Sequence, residues 1–157
     1  MKKLFAVLLL GTALATPDLA LARDITIAGQ MRSYSGPEAY LAVYLTDKDG
    51  TYKSTLYVAG HKTKYYRQIG GWARFAARDE NLQLDGITGA SIGSGRSFSI
   101  DLSIADSLID AGYTIHIDTA VENLGGVSDD AILPLDSGAA GIDVAGTGFV
   151  GKARVQM

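Results

Sequence analysis

The segment Tyr113-Thr114-Ile115-His116-Ile117-Asp118 alternates strictly between apolar and polar side chains before running into Thr119-Ala120-Val121. A chain with a period of two buries one side only by lying in a sheet, because successive side chains leave a strand on opposite faces. The same pattern recurs in short pieces. Arg23 to Met31 puts Ile25 and Ile27 on one face, and Ser97 to Ser103 does so with Phe98, Ile100 and Leu102. Ala39-Tyr40-Leu41-Ala42-Val43-Tyr44-Leu45 is apolar almost throughout, which predicts a strand central in its sheet. Thr46-Asp47-Lys48-Asp49-Gly50 reads as a turn whose aspartates cap backbone amides, and Tyr52 to Val58 returns as the second arm of a hairpin. Further strand signals lie near Ile132 to Leu135 and Phe149 to Val155. Between His61 and Phe75, Tyr65, Tyr66, Ile69, Trp72 and Phe75 recur at spacings of three and four, so a short helix or compact loop is expected, with Gly70-Gly71 keeping it brief. About seven short strands, one helical or loop insertion and no alternation of strand with helix predict an all-β, antiparallel sandwich.

The first residues follow another rule. Lys2 and Lys3 precede the apolar run Leu4 to Leu10, and Ala20-Leu21-Ala22 precedes Arg23. Charge, apolar stretch and small-residue site together predict a secretory signal peptide over residues 1–22, with one domain over 23–157. The apolar run is short for a membrane span and is broken by Thr16-Pro17-Asp18, so no stable membrane insertion is expected after cleavage. The expected address is the bacterial periplasm. The chain has no cysteine, so packing alone must hold it together in an oxidising compartment. Its 14 Lys and Arg against 17 Asp and Glu argue against a nucleic-acid partner.

One short motif carries specific chemistry. Asp85-Gly86-Ile87-Thr88-Gly89-Ala90-Ser91 resembles the acceptor motif of proteins that carry covalently attached FMN, where an Asp precedes a Ser/Thr-Gly-Ala-Thr/Ser tetrad. The resemblance implies that a secreted flavin transferase joins the flavin phosphate to Ser91 through a phosphodiester. Thr88, Gly89 and Ala90 form the lead-in, and Asp85 is the acidic residue expected to orient the hydroxyl or a metal ion during transfer. Small side chains around an exposed hydroxyl suit a loop that must enter another enzyme's active site. Tyr65, Tyr66 and Trp72 are the aromatic residues expected to stack on the flavin if the fold brings them beside Ser91.

A wider set of segments resembles one family. These are Tyr40 to Gly50, Ser54-Thr55-Leu56-Tyr57, Lys64-Tyr65-Tyr66 with Trp72, Asp85 to Ser91, and Ala111 to Ile117 with Glu122. Together they resemble the predicted periplasmic domain of unknown function 2271 over roughly residues 25 to 155. The chain departs from that pattern at Ile100-Asp101-Leu102, where the family usually has Trp-Asp-Gly. The resemblance implies an immunoglobulin-like sandwich associated with flavin transferases and PepSY-type membrane proteins. It also implies a redox role linked to iron or haem-iron reduction.

Other constellations are weaker. Asp47-Lys48-Asp49-Gly50 lacks the ligand pattern of an EF-hand and reads as a turn. His61 and His116 are the only histidines, so no metal site is expected, and His116 is expected to be solvated or hydrogen-bonded. Asp129-Asp130 is expected to face water, one side chain at a time. No nucleophile, base and orienting residue assemble in the sequence, so no enzyme activity is expected. Two readings remain: an electron carrier bearing FMN on Ser91, or a cofactor-free accessory module that docks on a membrane or surface protein.

Overall fold

The computed structural model describes residues 21–157; except for its last two residues, the leader reading of 1–22 lies outside them. Among the described residues, nine strands form two sheets packed as a sandwich. The strands are β1 (Ala22–Met31), β2 (Ala39–Thr46), β3 (Tyr52–Ala59), β4 (Thr88–Gly89), β5 (Ser97–Ala105), β6 (Thr114–Val121), β7 (Gly125–Pro134), β8 (Val144–Ala145) and β9 (Val150–Gln156). One sheet has the order β5-β1-β9-β8 and the other β4-β3-β2-β6-β7. Seven of the nine are full strands, as the alternation predicts; β4 and β8 have two residues each and carry no readable period.

The core lies between the sheets. Ile25, Ile27 and Met31 of β1, Ile100 of β5 and Val155 of β9 meet Leu41, Val43 and Leu45 of β2, Ile115 and Ile117 of β6 and Leu133 of β7. Strand β2 is central, and all eight of its residues are buried. Its second face, with Tyr40, Ala42 and Tyr44, lies under Ile69 and Trp72 of the insertion. Burial on both faces explains why β2 reads as an apolar run rather than an alternation. The β2–β3 turn forms as expected: Asp47 accepts from the backbone N–H of Asp49 and Thr51 at 3.0 Å each, and Gly50 takes φ +77°.

The insertion is a 3-10 turn (Thr63–Gln68) followed by helix α1 (Gly70–Ala76). Gly70-Gly71 opens this helix instead of interrupting one. After it the chain returns beside β3, where Val58 and Ala59 pair with Thr88 and Gly89 in parallel. The sheets are therefore not wholly antiparallel, because a crossover through a helix brings the chain back in the same direction. Strand β7 is longer than the piece near Ile132 to Leu135 suggests. A bulge at Ser128-Asp129-Asp130 breaks the alternation while the ladder with β6 continues on both sides.

Among the described residues, no helix is long and apolar enough to cross a membrane.

Candidate functional site

Ser91 lies where the chain leaves the five-stranded sheet for the four-stranded one. Upstream, Gly60 N–H donates to the Gly89 carbonyl at 2.7 Å, fixing β4 to the end of β3. Downstream, Ala39 and Ile92 exchange backbone hydrogen bonds of 2.8 and 2.9 Å. Ser94 Oγ then donates to the Tyr34 carbonyl and accepts from Tyr34 N–H, both at 2.7 Å. Ala90 and Ser91 are thus a two-residue span between anchored neighbours, with Ala90 exposed and Ser91 half-buried. Gly89 has a local reason to be glycine: a Cβ there would overlap the Tyr57 hydroxyl.

The Ser91 hydroxyl donates to Glu38 Oε2 at 2.5 Å. That length belongs to the short range of hydroxyl-to-carboxylate hydrogen bonds. Two clefts share Glu38 and Ser91 as their common wall. One, of about 380 Å³, is lined by Tyr57, Arg96 and Phe98 among others. The second, of about 440 Å³, is lined by Tyr40, Lys62, Tyr65 and Glu122. Each cleft thus has one cationic side chain and an aromatic wall, and both volumes fall within the roughly 300–1,000 Å³ typical of small-ligand sites.

The sequence-derived site residues separate into four groups. Thr88, Gly89, Ala90 and Ser91 stay together, with Thr88 and Gly89 in β4 and Ser91 at the cleft divide. Tyr65 reaches the second cleft, tilted against Tyr40 at a centroid distance of 5.3 Å, with the Lys64 ammonium 4.7 Å from its ring centre. Asp85 sits in the exposed turn before β4, and the carboxylate that meets Ser91 is that of Glu38 instead. Trp72 corrects the expectation of stacking. It is 1% exposed, its Nε1–H donates to Thr55 Oγ1 at 2.8 Å, and Tyr66 meets it edge-on at 5.7 Å. A ring enclosed in this way anchors the helix and offers no face to a ligand.

Sequence reasoning missed Glu38. It lies 53 residues from Ser91, follows Pro37 in a polar loop and has no motif around it. Pairings between the flanking segments, that of Ala39 with Ile92 foremost, bring the two together.

The outer face of the five-stranded sheet holds a second polar group. Thr46 Oγ1 lies 2.9 Å from His116 Nε2, and His116 Nδ1 lies 2.7 Å from Asp129 Oδ1. The Tyr44 ring stacks on the imidazole at 5.0 Å. Hydroxyl, imidazole and carboxylate stand in line, but Thr46 is 4% exposed within the strand ladder, so the line fastens β2 to β6 and β7 and leaves no room for a substrate. Burial and the neighbouring carboxylates of Asp118 and Asp129 push the Tyr44 phenol well above its ordinary value. Asp130 also departs from expectation. It is fully buried and accepts from Thr119 Oγ1 and from the backbone N–H of Thr147, Gly148, Phe149 and Val150. The β7 bulge turns the two consecutive aspartates to different surroundings, so they do not both face water.

No curated protein and no solved structure matches the chain. The family described as predicted periplasmic protein, DUF2271, matches residues 22–152. The chain belongs to that family.

Proposed function

We propose that this protein is a non-catalytic periplasmic redox carrier with FMN joined to Ser91 by a phosphodiester. The observation that carries this reading is the position of the Ser91 hydroxyl: it is held between two anchored points on the wall shared by two clefts. Its sequence surroundings, Asp85 to Ser91, resemble an FMN acceptor motif, with Ser in place of the commoner Thr at the acceptor. The residues suit such a group. Arg96 and Lys62 supply positive charge for a phosphate, one in each cleft, and Tyr57, Phe98, Tyr40 and Tyr65 supply apolar wall. When bound, FMN supplies the one- and two-electron chemistry that the side chains of this chain lack.

In this reading the chain presents Ser91 to a flavin transferase and later shields the attached ring. Tyr65 limits water on one side of the second cleft, and the short Ala90–Ser91 span keeps the linkage close to the sandwich. The electron partner is a membrane flavo- or haem protein of the PepSY type, and iron reduction or uptake is the process served.

Co-expression with a flavin transferase in a periplasm, followed by intact-mass measurement, tests the reading. The expected result is a mass increase of one FMN that Ser91→Ala abolishes while the fold persists. An unmodified mass under those conditions overturns it. A colourless protein that binds a membrane protein saturably would favour the cofactor-free docking module instead.

A further inference from the structure

We infer that Glu38 is the proton acceptor that activates Ser91 for covalent modification. The inference rests on the reading of Ser91 as the flavin acceptor and assigns the chemistry of that hydroxyl to a residue outside the motif.

A serine hydroxyl is a weak nucleophile until a base takes its proton as the new bond forms. Such a base must lie within about 2.6–3.2 Å of the oxygen, and shorter when it is a carboxylate accepting from a hydroxyl. Glu38 Oε2 lies 2.5 Å from Ser91 Oγ, with the serine donating. Backbone pairing and side-chain length together set this contact. Glu38 immediately precedes Ala39, Ser91 immediately precedes Ile92, and Ala39 and Ile92 form a two-bond antiparallel bridge. In an antiparallel bridge those two positions lie diagonally on one face, and the length of the Glu38 side chain spans the gap to Ser91. Glu38 itself is exposed, so a proton it receives passes directly to water.

The step balances with flavin adenine dinucleotide as the donor. The Ser91 O–H bond breaks and its proton goes to Glu38 Oε2, while Oγ bonds to the phosphorus of the FMN half. The phosphoanhydride bond to the adenylate half breaks, AMP leaves, and Glu38 returns the proton to solvent. No electron is gained or lost.

The measurement is the rate of adduct formation by mass spectrometry, using purified protein, a flavin transferase and flavin adenine dinucleotide. Glu38→Gln keeps the shape and still accepts a hydrogen bond from Ser91, but it takes up no proton. General-base assistance is generally worth about 10²–10⁴ in rate, so Glu38→Gln is expected to slow loading by about 100-fold or more, and Glu38→Asp to recover part of that loss. Thermal unfolding of each variant should match the wild type. If Glu38→Gln loads as fast as the wild type while Glu38→Ala is slow, Glu38 only positions the hydroxyl and the inference is wrong. Equal rates for all variants also overturn it, leaving the Ser91 assignment intact. A wild-type protein that takes no flavin overturns the functional reading itself, and the inference with it.

Discussion

The carboxylate of Asp118 accepts a 2.7 Å hydrogen bond from the backbone N–H of Trp72, 46 residues away. The same carboxylate accepts from Asp129 N–H at 2.7 Å and from the Tyr44 hydroxyl at 3.3 Å. One fully buried side chain thus ties the start of helix α1 to β2, β6 and β7. Burial is the strongest influence on Asp118, and it raises the pKa above the ordinary carboxylate value despite the donors around it. Between the unfolded and the raised folded pKa, the native state binds more protons than the unfolded state, so stability falls as pH rises through that window. In Asp118→Asn this contribution disappears. The variant also turns an amide N–H toward a backbone donor, a mismatch worth about 1–3 kcal/mol. Thermal unfolding followed from about pH 3 to pH 7 should show a less stable protein that loses less stability than the wild type as pH rises through that window. An unchanged profile would mean that Asp118 does not titrate in this range.

Asp130 organises the approach to β9, receiving four successive backbone N–H groups from Thr147 to Val150. Replacing it with Ala leaves several of these donors without a partner, at about 1–3 kcal/mol for each one buried. Asp130→Ala should lose about 3 kcal/mol or more in denaturant unfolding. The amides of residues 147–150 should exchange hydrogen faster than their neighbours in β9.

Gly126 of β7 passes beneath the Gln68 carbonyl, and a Cβ there would overlap that oxygen. Because the obstacle is backbone, Gly126→Ala must shift the joint between the 3-10 turn and α1. Overpacking of this kind costs about 1–3 kcal/mol. Chemical denaturation would measure the loss, and the near-ultraviolet signal of Trp72 should change with it. A variant as stable as the wild type would show that the insertion sits loosely on the sheet.

Trp72 and Tyr65 should separate cleanly. Trp72→Phe removes the bond to Thr55 and leaves a cavity at a buried site, a loss of about 2–3 kcal/mol in stability, and leaves the extent of Ser91 modification unchanged. Tyr65→Ala, at the cleft wall, should alter the fluorescence of the flavin proposed for Ser91, with a smaller effect on unfolding. The opposite pattern would reinstate Trp72 as a ligand contact.

The strands were legible where one face is wet and the other buried. The alternation of Ile25 and Ile27, and of Ile115 and Ile117, marks β1 and β6 without further help, and the unbroken apolar run of β2 foretells its central place. What escaped notice depends on contacts between distant parts of the chain. Strand β4 exists because β3 ends beside Gly89, not because of its own composition. Asp130 looked like a solvated loop residue because a bulge, which no period reveals, turns it inward. At the candidate site the motif around Ser91 could be read locally, while Glu38 could not, since its role arises from a bridge formed by its neighbour. Trp72 misled because aromatic spacing alone does not tell whether a ring faces a ligand or the sheet.

The Ala90–Ser91 span is pinned at one end to β3 through Gly89 and at the other to the start of β2 through Ile92. A mount of this kind has almost no swing. A group fixed to Ser91 moves only by rotation within its own linker, so its reach is measured in bonds and not in loop length. On the proposed reading, exchange with a membrane protein would happen at the face where Ser91 stands. The orientation in which the whole sandwich docks, not the mobility of an arm, would then set the distance that an electron travels.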